Sequence, residues 1–244
     1  MSEVGKRNVQ ISKALSYILR HGAVKEKLPI DTNGYIEVEL ILNHNRLKTH
    51  HCTLDELHSI VENNDKKRFH VKKKNGTEYI CATQGHSLKS VKPNEEILMK
   101  IEDVSHLPEV IVHGTTITSC IAIIESGAIK KLERNHVHLS AGIIGQDLDI
   151  ISGMRYSSNV YIYINKTEEN IKQLSLVKSL NGVILSPKDI PISMIEKIQI
   201  KTTRSSNKTD LDKLMKILEV EKYRIPFYEC LNVCTLLSKF KCLI

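Results

Sequence analysis

The sequence predicts an α+β protein built in two parts. Apolar residues at helical spacing occupy the first sixty positions, a strongly basic hairpin follows, and beyond residue 94 the text turns to short Ile/Val runs parted by turn residues. Only two helical stretches interrupt those runs, so the second part is not a regular βαβ repeat.

In the first part, Ile11, Ala14, Leu15, Ile18 and Leu19 recur on one helical face, with Gly22 as a natural stop. At about 100° per residue Arg20 projects opposite that stripe and His21 lies on its flank, so neither is expected in the core. GYIEV, from Gly34, alternates like a short strand, and ELILN reads as a short helix. TLDE, from Thr53, is a capping box: the Thr53 hydroxyl accepts from the Glu56 N–H, and the Glu56 carboxylate reaches back to the Thr53 N–H. It opens a helix expected to run to about Asn63. Asn75-Gly76 then marks a tight hairpin, because both positions tolerate positive φ. Six Lys or Arg residues fall between Lys66 and Lys74, and helices followed by a basic hairpin are the outline of a winged helix. A lysine-protected edge hairpin is the bland alternative.

The composition turns polar near Val91 to Asn94, where the boundary is expected. The second part offers EVIV, HVHLS, NVYIYI, GVILS and IEKIQI as strands. Ile117, Cys120, Ile121 and Ile124 form one helix ending at Gly127, and TEENIKQL forms another. KTTRSSNKTD reads as a linker, DLDKLMKILEV as a helix, and YECLNVCTLLSKFKCLI as an apolar tail with lysines.

Bulk properties exclude several classes. No run of about 18 apolar residues exists, so no membrane span is expected, and MSEVGKRNVQ has no apolar leader. Six cysteines without a CxxC pair read as reduced thiols of an intracellular protein, in cytoplasm or nucleus. Net charge is +7, and residues 1–90 carry 15 Lys+Arg against 10 Asp+Glu, which points to a polyanionic partner there. Zero Trp and three Phe argue against a stacking platform for single strands. No GxGxxG, P-loop, GxSxG or Cys–His nucleophile is present, and paired carboxylates are not conspicuous.

What remains is arginine and histidine. HGTT, from His113, sits between a strand and a helix, where Gly114 permits close backbone approach and free N–H groups favour an anion or carbonyl oxygen. HVHLS places His136 and His138 on one strand face; a metal pair is conceivable, but no third ligand has convincing spacing and no metal is expected. Such a set suits a strongly anionic substrate that supplies its own nucleophile.

These residues resemble one family, the RNA 2′-phosphotransferases, called KptA in bacteria. The matching pieces are LRH (Leu19 to His21), DTNGYIEV, Arg68-Phe69, QGHS (Gln84 to Ser87), HGTT, RNHVHLS (Arg134 to Ser140), ISGMR with NVYIYI after it, and NGVILS. They stand in the family's order across residues 8–200. The resemblance implies a winged-helix RNA lobe (residues 1–92), an ADP-ribosyltransferase-like lobe binding NAD (93–201) and a C-terminal extension of unknown role (202–244). It implies removal of an internal RNA 2′-phosphate, as left at a tRNA splice junction, with NAD⁺ consumed through an ADP-ribosylated RNA 2′-phosphate. The products would be 2′-hydroxyl RNA, nicotinamide and ADP-ribose 1″,2″-cyclic phosphate.

The family's catalytic set of Arg, His, Arg and Arg falls on Arg20, His21, Arg68 and Arg155. NAD contacts are implied for His113, Gly114, Thr115, Ser119, Arg134, His138 and Ser140, and RNA contacts for Lys72, Lys73, Lys74, Gln84 and His86. The partner implied is RNA, with spliced tRNA foremost, acted on by a monomer away from any membrane. Cys81 stands where the family commonly has a basic residue, SPKDIP lacks a glycine often found after its strand, and the tail beyond Lys201 has no counterpart. Two alternatives stay open: an ADP-ribosyltransferase acting on a protein or a nucleic-acid phosphate end, and a non-catalytic winged-helix nucleic-acid-binding protein.

Overall fold

The computed structural model describes residues 3–147, 150, 152–202, 207–220 and 225–231. It is a mixed α+β structure whose described residues divide into two compact units. The first holds residues up to Met99 with Leu132–His136 and Ser179–Asn181; the second holds the described residues of Lys100–Lys131, Val137–Lys178 and those from Gly182 on.

The first unit opens with α1 (Glu3–Tyr17), whose Ile11 and Leu15 are fully buried. A π-helical turn, Ile18–Gly22, follows directly. The short strand β1 (Ile36–Glu37) leads into α2 (Val38–Asn43), so the expected strand GYIEV yields its valine to a helix. After α3 (Asn45–Lys48), α4 (Leu54–Glu62) begins at Thr53, and both hydrogen bonds of the capping box are made. Strands β2 (Phe69–Lys74) and β3 (Thr77–Ala82) form the expected hairpin, with φ of 51° at Asn75 and 84° at Gly76. The sheet order is β1-β3-β2, antiparallel throughout. Ile36 and Ile80 pair across it and join the helices in one core with Ile18, Leu19, Ile41, Leu57 and Phe69. The chain leaves through β4 (Leu98–Lys100).

The second unit starts with β5 (Val112–Thr115), followed by α5 (Ile117–Ser126), β6 (Ala128–Ile129), β7 (Val137–Leu139), β8 (Val160–Ile164) and α6 (Glu168–Leu174). Then come β9 (Val177–Ser179), β10 (Ile184–Ser186), β11 (Ile190–Pro191), β12 (Ile195–Thr202), α7 (Lys208–Glu219) and β13 (Phe227–Leu231). Strand β5 is a correction: it covers VHGT rather than EVIV, so His113 and Gly114 lie in a strand and not in the turn before the helix. One sheet runs β13-β12-β8-β5, with β13 parallel to β12 and the other pairs antiparallel. A second has β10 between β7 and β9, and β11 pairs with β6. The first two are stitched at Val112 and Ser140, whose backbones exchange hydrogen bonds of 2.9 and 2.8 Å.

The core of this unit is aliphatic, with Ile117, Ile121, Val160, Ile162, Ile184, Ile198 and Ile200 at its centre. Leu214 and Leu218 of α7 are buried in that same core, and Ile225 joins them. The described part of the C-terminal extension is therefore integral to this unit. The cysteines Cys234 and Cys242 of the expected apolar tail lie outside the described residues. Among the described residues no helix is long and apolar enough to cross a membrane.

Candidate active site

The most unusual local geometry falls on Leu19-Arg20-His21. An ideal helix would continue through these residues, but the backbone widens to a π turn, and the Ala23 N–H donates to the Ile18 carbonyl at 3.0 Å. Such turns recur at functional sites because they re-aim side chains. Arg20 is half-buried and stays out of the apolar core, as expected, but its guanidinium is covered. Its Nε and Nη2 are both buried, and neither has a hydrogen-bond partner. A guanidinium normally satisfies its donors, because an unpaired buried polar group is costly.

What surrounds Arg20 is positive or neutral. Gly85, at φ +90°, brings backbone against the guanidinium: a Cβ there would sit 3.5 Å from Cδ, Cζ and Nε. That conformation suits glycine alone among common residues. The Ser87 N–H donates to the Arg20 carbonyl at 3.0 Å and fixes the loop to the π turn. Burial first, then the charges of Arg68 and Arg134, push the Arg20 pKa down to about 10. Cations without a carboxylate among these influences make a site that is complete only with an anion bound.

Arg68 is aimed by Asn64, whose Oδ1 accepts from the Arg68 backbone N–H at 3.2 Å and from Nη1 at 3.1 Å. Thr83 ties the same residue to the sheet through its N–H, 2.9 Å from the Arg68 carbonyl. Burial lowers the Arg68 pKa, against the opposing charge of Asp65. Arg134 reaches the cluster because its neighbour Asn135 is anchored: the Asn135 N–H donates to the His86 carbonyl at 2.8 Å, and its Nδ2 donates to the carbonyls of Leu88 and Val91. Asn64 and Asn135 were not singled out in the sequence. Asn64 stands four residues before Arg68, a spacing at which an Asn side chain caps local backbone.

His21 is exposed, with Nδ1 2.9 Å from the Ser87 hydroxyl. Its pKa is lowered by partial burial first and then by Arg20 and Arg134, with Glu133 opposing, so the ring favours its neutral form. His86 is 4% exposed, and burial with Arg20, His136 and His21 nearby pushes its pKa down to about 3. Its Nε2 is buried without a partner. Gln84 is 8% exposed, so the two polar residues expected on RNA both lie buried. On the hairpin, Lys73 and Lys74 are exposed, whereas Lys72 is held 3.0 Å from Glu96 and 3.8 Å over the Tyr35 ring.

In the second unit, the stitch between β5 and Ser140 brings together residues of HGTT and HVHLS. His113 Nδ1 lies 3.0 Å from the His138 carbonyl and must be the donor, which leaves Nε2 as the acceptor of a neutral ring. Burial lowers the His113 pKa and keeps that ring neutral. His138 lies in β7, while His136 precedes that strand. The Ser140 hydroxyl donates to the Ser152 carbonyl at 3.1 Å. Gly153, at φ +104°, packs so closely that a Cβ would be 2.8 Å from the Ser140 Cα. A Cβ on Gly114 would be 2.7 Å from the Met154 Cβ, so glycine is needed there for the next residue of the same loop. Ser152, Gly153 and Met154 are thereby docked on β5 and Ser140, and Arg155, exposed, projects from that docked segment.

Thr116 caps α5, accepting from the Ser119 N–H at 3.3 Å and donating to the Ser119 hydroxyl at 3.1 Å. Asn159 carries a buried Oδ1 without a partner, while its N–H holds the Thr115 carbonyl at 2.9 Å. An orphaned acceptor beside Thr115 fits a ligand that presents amide N–H groups. Among the described residues no group of three or more His, Cys, Asp and Glu is placed to hold a metal ion.

The RNA 2′-phosphotransferase, Tpt1 / KptA family model matches residues 6–188. The chain is 53% identical over 215 residues to the tRNA 2′-phosphotransferase of Saccharomyces cerevisiae, covering 87% of this chain and 92% of that protein. It is 34% identical over 205 residues to tRNA 2′-phosphotransferase 1 of Homo sapiens, covering 81% and 78%. It is 33% identical over 202 residues to a probable RNA 2′-phosphotransferase of Pectobacterium atrosepticum, covering 79% and 99%.

Proposed function

Because the chain belongs to the RNA 2′-phosphotransferase, Tpt1 / KptA family, we propose that it removes an internal 2′-phosphate from RNA, spliced tRNA foremost, with NAD⁺ as the acceptor. The observation that carries this reading is the Arg20 guanidinium, buried with two unpartnered nitrogens in a field of further cations. Doubly anionic phosphate is the ligand that such donors lack.

The first unit is the winged-helix RNA lobe in this proposal, with Lys73 and Lys74 of the hairpin on the nucleic-acid backbone. Lys72, Gln84 and His86 support that surface from below, through Glu96 and the buried loop. The second unit is the ADP-ribosyltransferase-like lobe, where His113, Gly114, Thr115, Ser119, His138 and Ser140 hold the dinucleotide. The orphaned Asn159 Oδ1 supports that placement. Arg134 is assigned to the diphosphate, and its charge also acts on Arg20 and His21.

When bound, NAD⁺ supplies an electrophilic ribose carbon with nicotinamide as leaving group. The RNA phosphate is itself the nucleophile, so no side chain needs activation. Arg20 and Arg68 orient its oxygens, and Arg155 is assigned to the charge that builds on them in the transesterification that frees the RNA. Losing one such donor typically slows a reaction by about 10²–10³-fold. His21 is the acid for the departing 2′-oxygen. Burial first, and then Arg20 and Arg134, lower its pKa, and a bound phosphate offsets both charges and lets the ring take up the proton it must deliver.

Incubation with an internally 2′-phosphorylated oligonucleotide and NAD⁺ tests the proposal. It expects nicotinamide release, 2′-hydroxyl RNA and ADP-ribose 1″,2″-cyclic phosphate in equal amounts. ADP-ribosylated RNA as the final product would favour the plain ADP-ribosyltransferase instead.

A further inference from the structure

A groove of about 630 Å³ lies on the first unit, between α1 and the end of α4. Its volume falls within the about 300–1,000 Å³ usual for small-ligand sites. Asn8, Ser12 and Ser16 line it from one face of α1, four residues apart, and Asn63 and Asn64 line it from the opposite wall. None of the lining residues is aromatic, and Lys13 and Asp65 are the other charges on its walls besides Arg68.

Arg68 is the important member. It forms part of this groove, and its charge also acts on Arg20. Asn64, whose Oδ1 holds the Arg68 guanidinium, faces the same groove. Arg68 is therefore shared between the groove and the cation cluster, and whatever fills the groove lies next to Arg68.

We propose that this groove seats a nucleotide flanking the phosphorylated one, as a single-stranded RNA subsite read by amides and hydroxyls rather than by stacking. This rests on the reading of Arg20 and Arg68 as the phosphate clamp. Amide and hydroxyl side chains present both donors and acceptors, which match base edges and ribose 2′-hydroxyls. Lys13 suits a neighbouring backbone phosphate. The absence of aromatic walls removes the sequence-tolerant stacking mode and leaves edge recognition.

The test uses fluorescence anisotropy without NAD⁺, on two probes: a hexanucleotide with an internal 2′-phosphate, and a dinucleotide carrying the same phosphorylated step. Ser12→Tyr fills the groove, and Lys13→Glu, at an exposed position, reverses its charge without touching the core. Both variants are expected to bind the hexanucleotide about tenfold more weakly, the scale of one lost base-edge or backbone contact. The dinucleotide should change by less than about twofold on the same scale. Circular dichroism melts check that Ser12→Tyr folds, and Lys13→Glu carries the test if it does not. Wild-type hexanucleotide binding in a folded variant overturns the proposal, and so does equal weakening of both probes. Arg68→Ala separates the two levels: if it leaves dinucleotide binding intact, the clamp itself is wrong.

Discussion

Replacing Arg20 with Met should slow turnover steeply and yet leave the free protein at least as stable. The reasoning starts from the guanidinium, whose Nε and Nη2 are buried without partners. Its pKa falls from the ordinary arginine value to about 10, through burial and then through Arg68 and Arg134. At about 1.4 kcal/mol per tenfold, this is an upper bound of about 3 kcal/mol by which the fold disfavours the charged form. Because the folded value lies below the ordinary one, the destabilisation is present at neutral pH and lifts only as pH passes about 10. Met keeps much of the aliphatic stem and its packing while removing the charge. Thermal melts of the ligand-free protein should therefore show Arg20→Met unchanged or raised by a few degrees, on a scale of about 2–4 °C per kcal/mol for a chain of this size. Saturating 2′-phosphorylated oligonucleotide should raise the melting temperature of the wild type but not of the variant. Activity should fall by about 10²–10³-fold or more, as for loss of a transition-state donor. A variant that melts several degrees lower would show that Arg20 is a structural residue with a favourable setting, and the anion-site reasoning would fail.

Arg68→Ala and Arg155→Ala should each lower kcat by about 10²-fold or more with the fold retained, and Asn64→Ala should follow Arg68→Ala in weaker form; wild-type rates in both arginine variants would refute the assignment. Gly153→Ala places a Cβ 2.8 Å from the Ser140 Cα at φ +104° and should destabilise by about 1–3 kcal/mol, read from denaturant melts, with kcat falling because Arg155 is carried on that loop. His86 is neutral in the fold and has a pKa near 3 against an ordinary 6.5, so between those values the unfolded chain binds the proton and the native state does not. Stability should accordingly fall as pH drops from about 6.5 towards 3, and His86→Gln should flatten that limb of a denaturant-by-pH series.

Local chemistry was legible in the sequence wherever a short-range rule sufficed. The Thr53 capping box, the Asn75-Gly76 hairpin and the helix ending at Gly127 depend on neighbours three or four residues apart, and each stands as read. Arg20 stands outside the apolar core as read, but the cover over its guanidinium is not legible from the 3.6-residue period, because the π turn breaks that period at the residue of interest. The strand at VHGT was shifted by three residues because its partners, Tyr161 and Ile162, lie nearly fifty residues away and decide which part of an apolar run pairs. Gly114 illustrates a subtler limit. A glycine is read as open to a ligand, and that Met154 packs where its Cβ would stand is shown only by tertiary structure. Asn64 and Asn135 escaped notice because single asparagines are common in loops, and their value lies in which arginine each holds in place.

The placement of the asparagines also explains how a cation-rich cluster is held in place. No carboxylate is among the influences on Arg20, so neutral groups carry the structural burden. Asn64 Oδ1 accepts from Arg68, Asn135 Nδ2 bonds two carbonyls beneath Arg134, and the Arg20 carbonyl is held by the Ser87 N–H. A carboxylate at position 64 would bind the Arg68 guanidinium more strongly, but it would then compete with the substrate phosphate for the same donors. A neutral acceptor orients Arg68 while leaving its charge unspent, and the bonds at Asn135 and Ser87 fix backbone alone. Asp65 is the exception that fits the rule, since it opposes the lowering of the Arg68 pKa by charge alone, while the hydrogen bond to that guanidinium comes from Asn64. The stability withheld at Arg20 is thus the free energy that an anion bound there recovers.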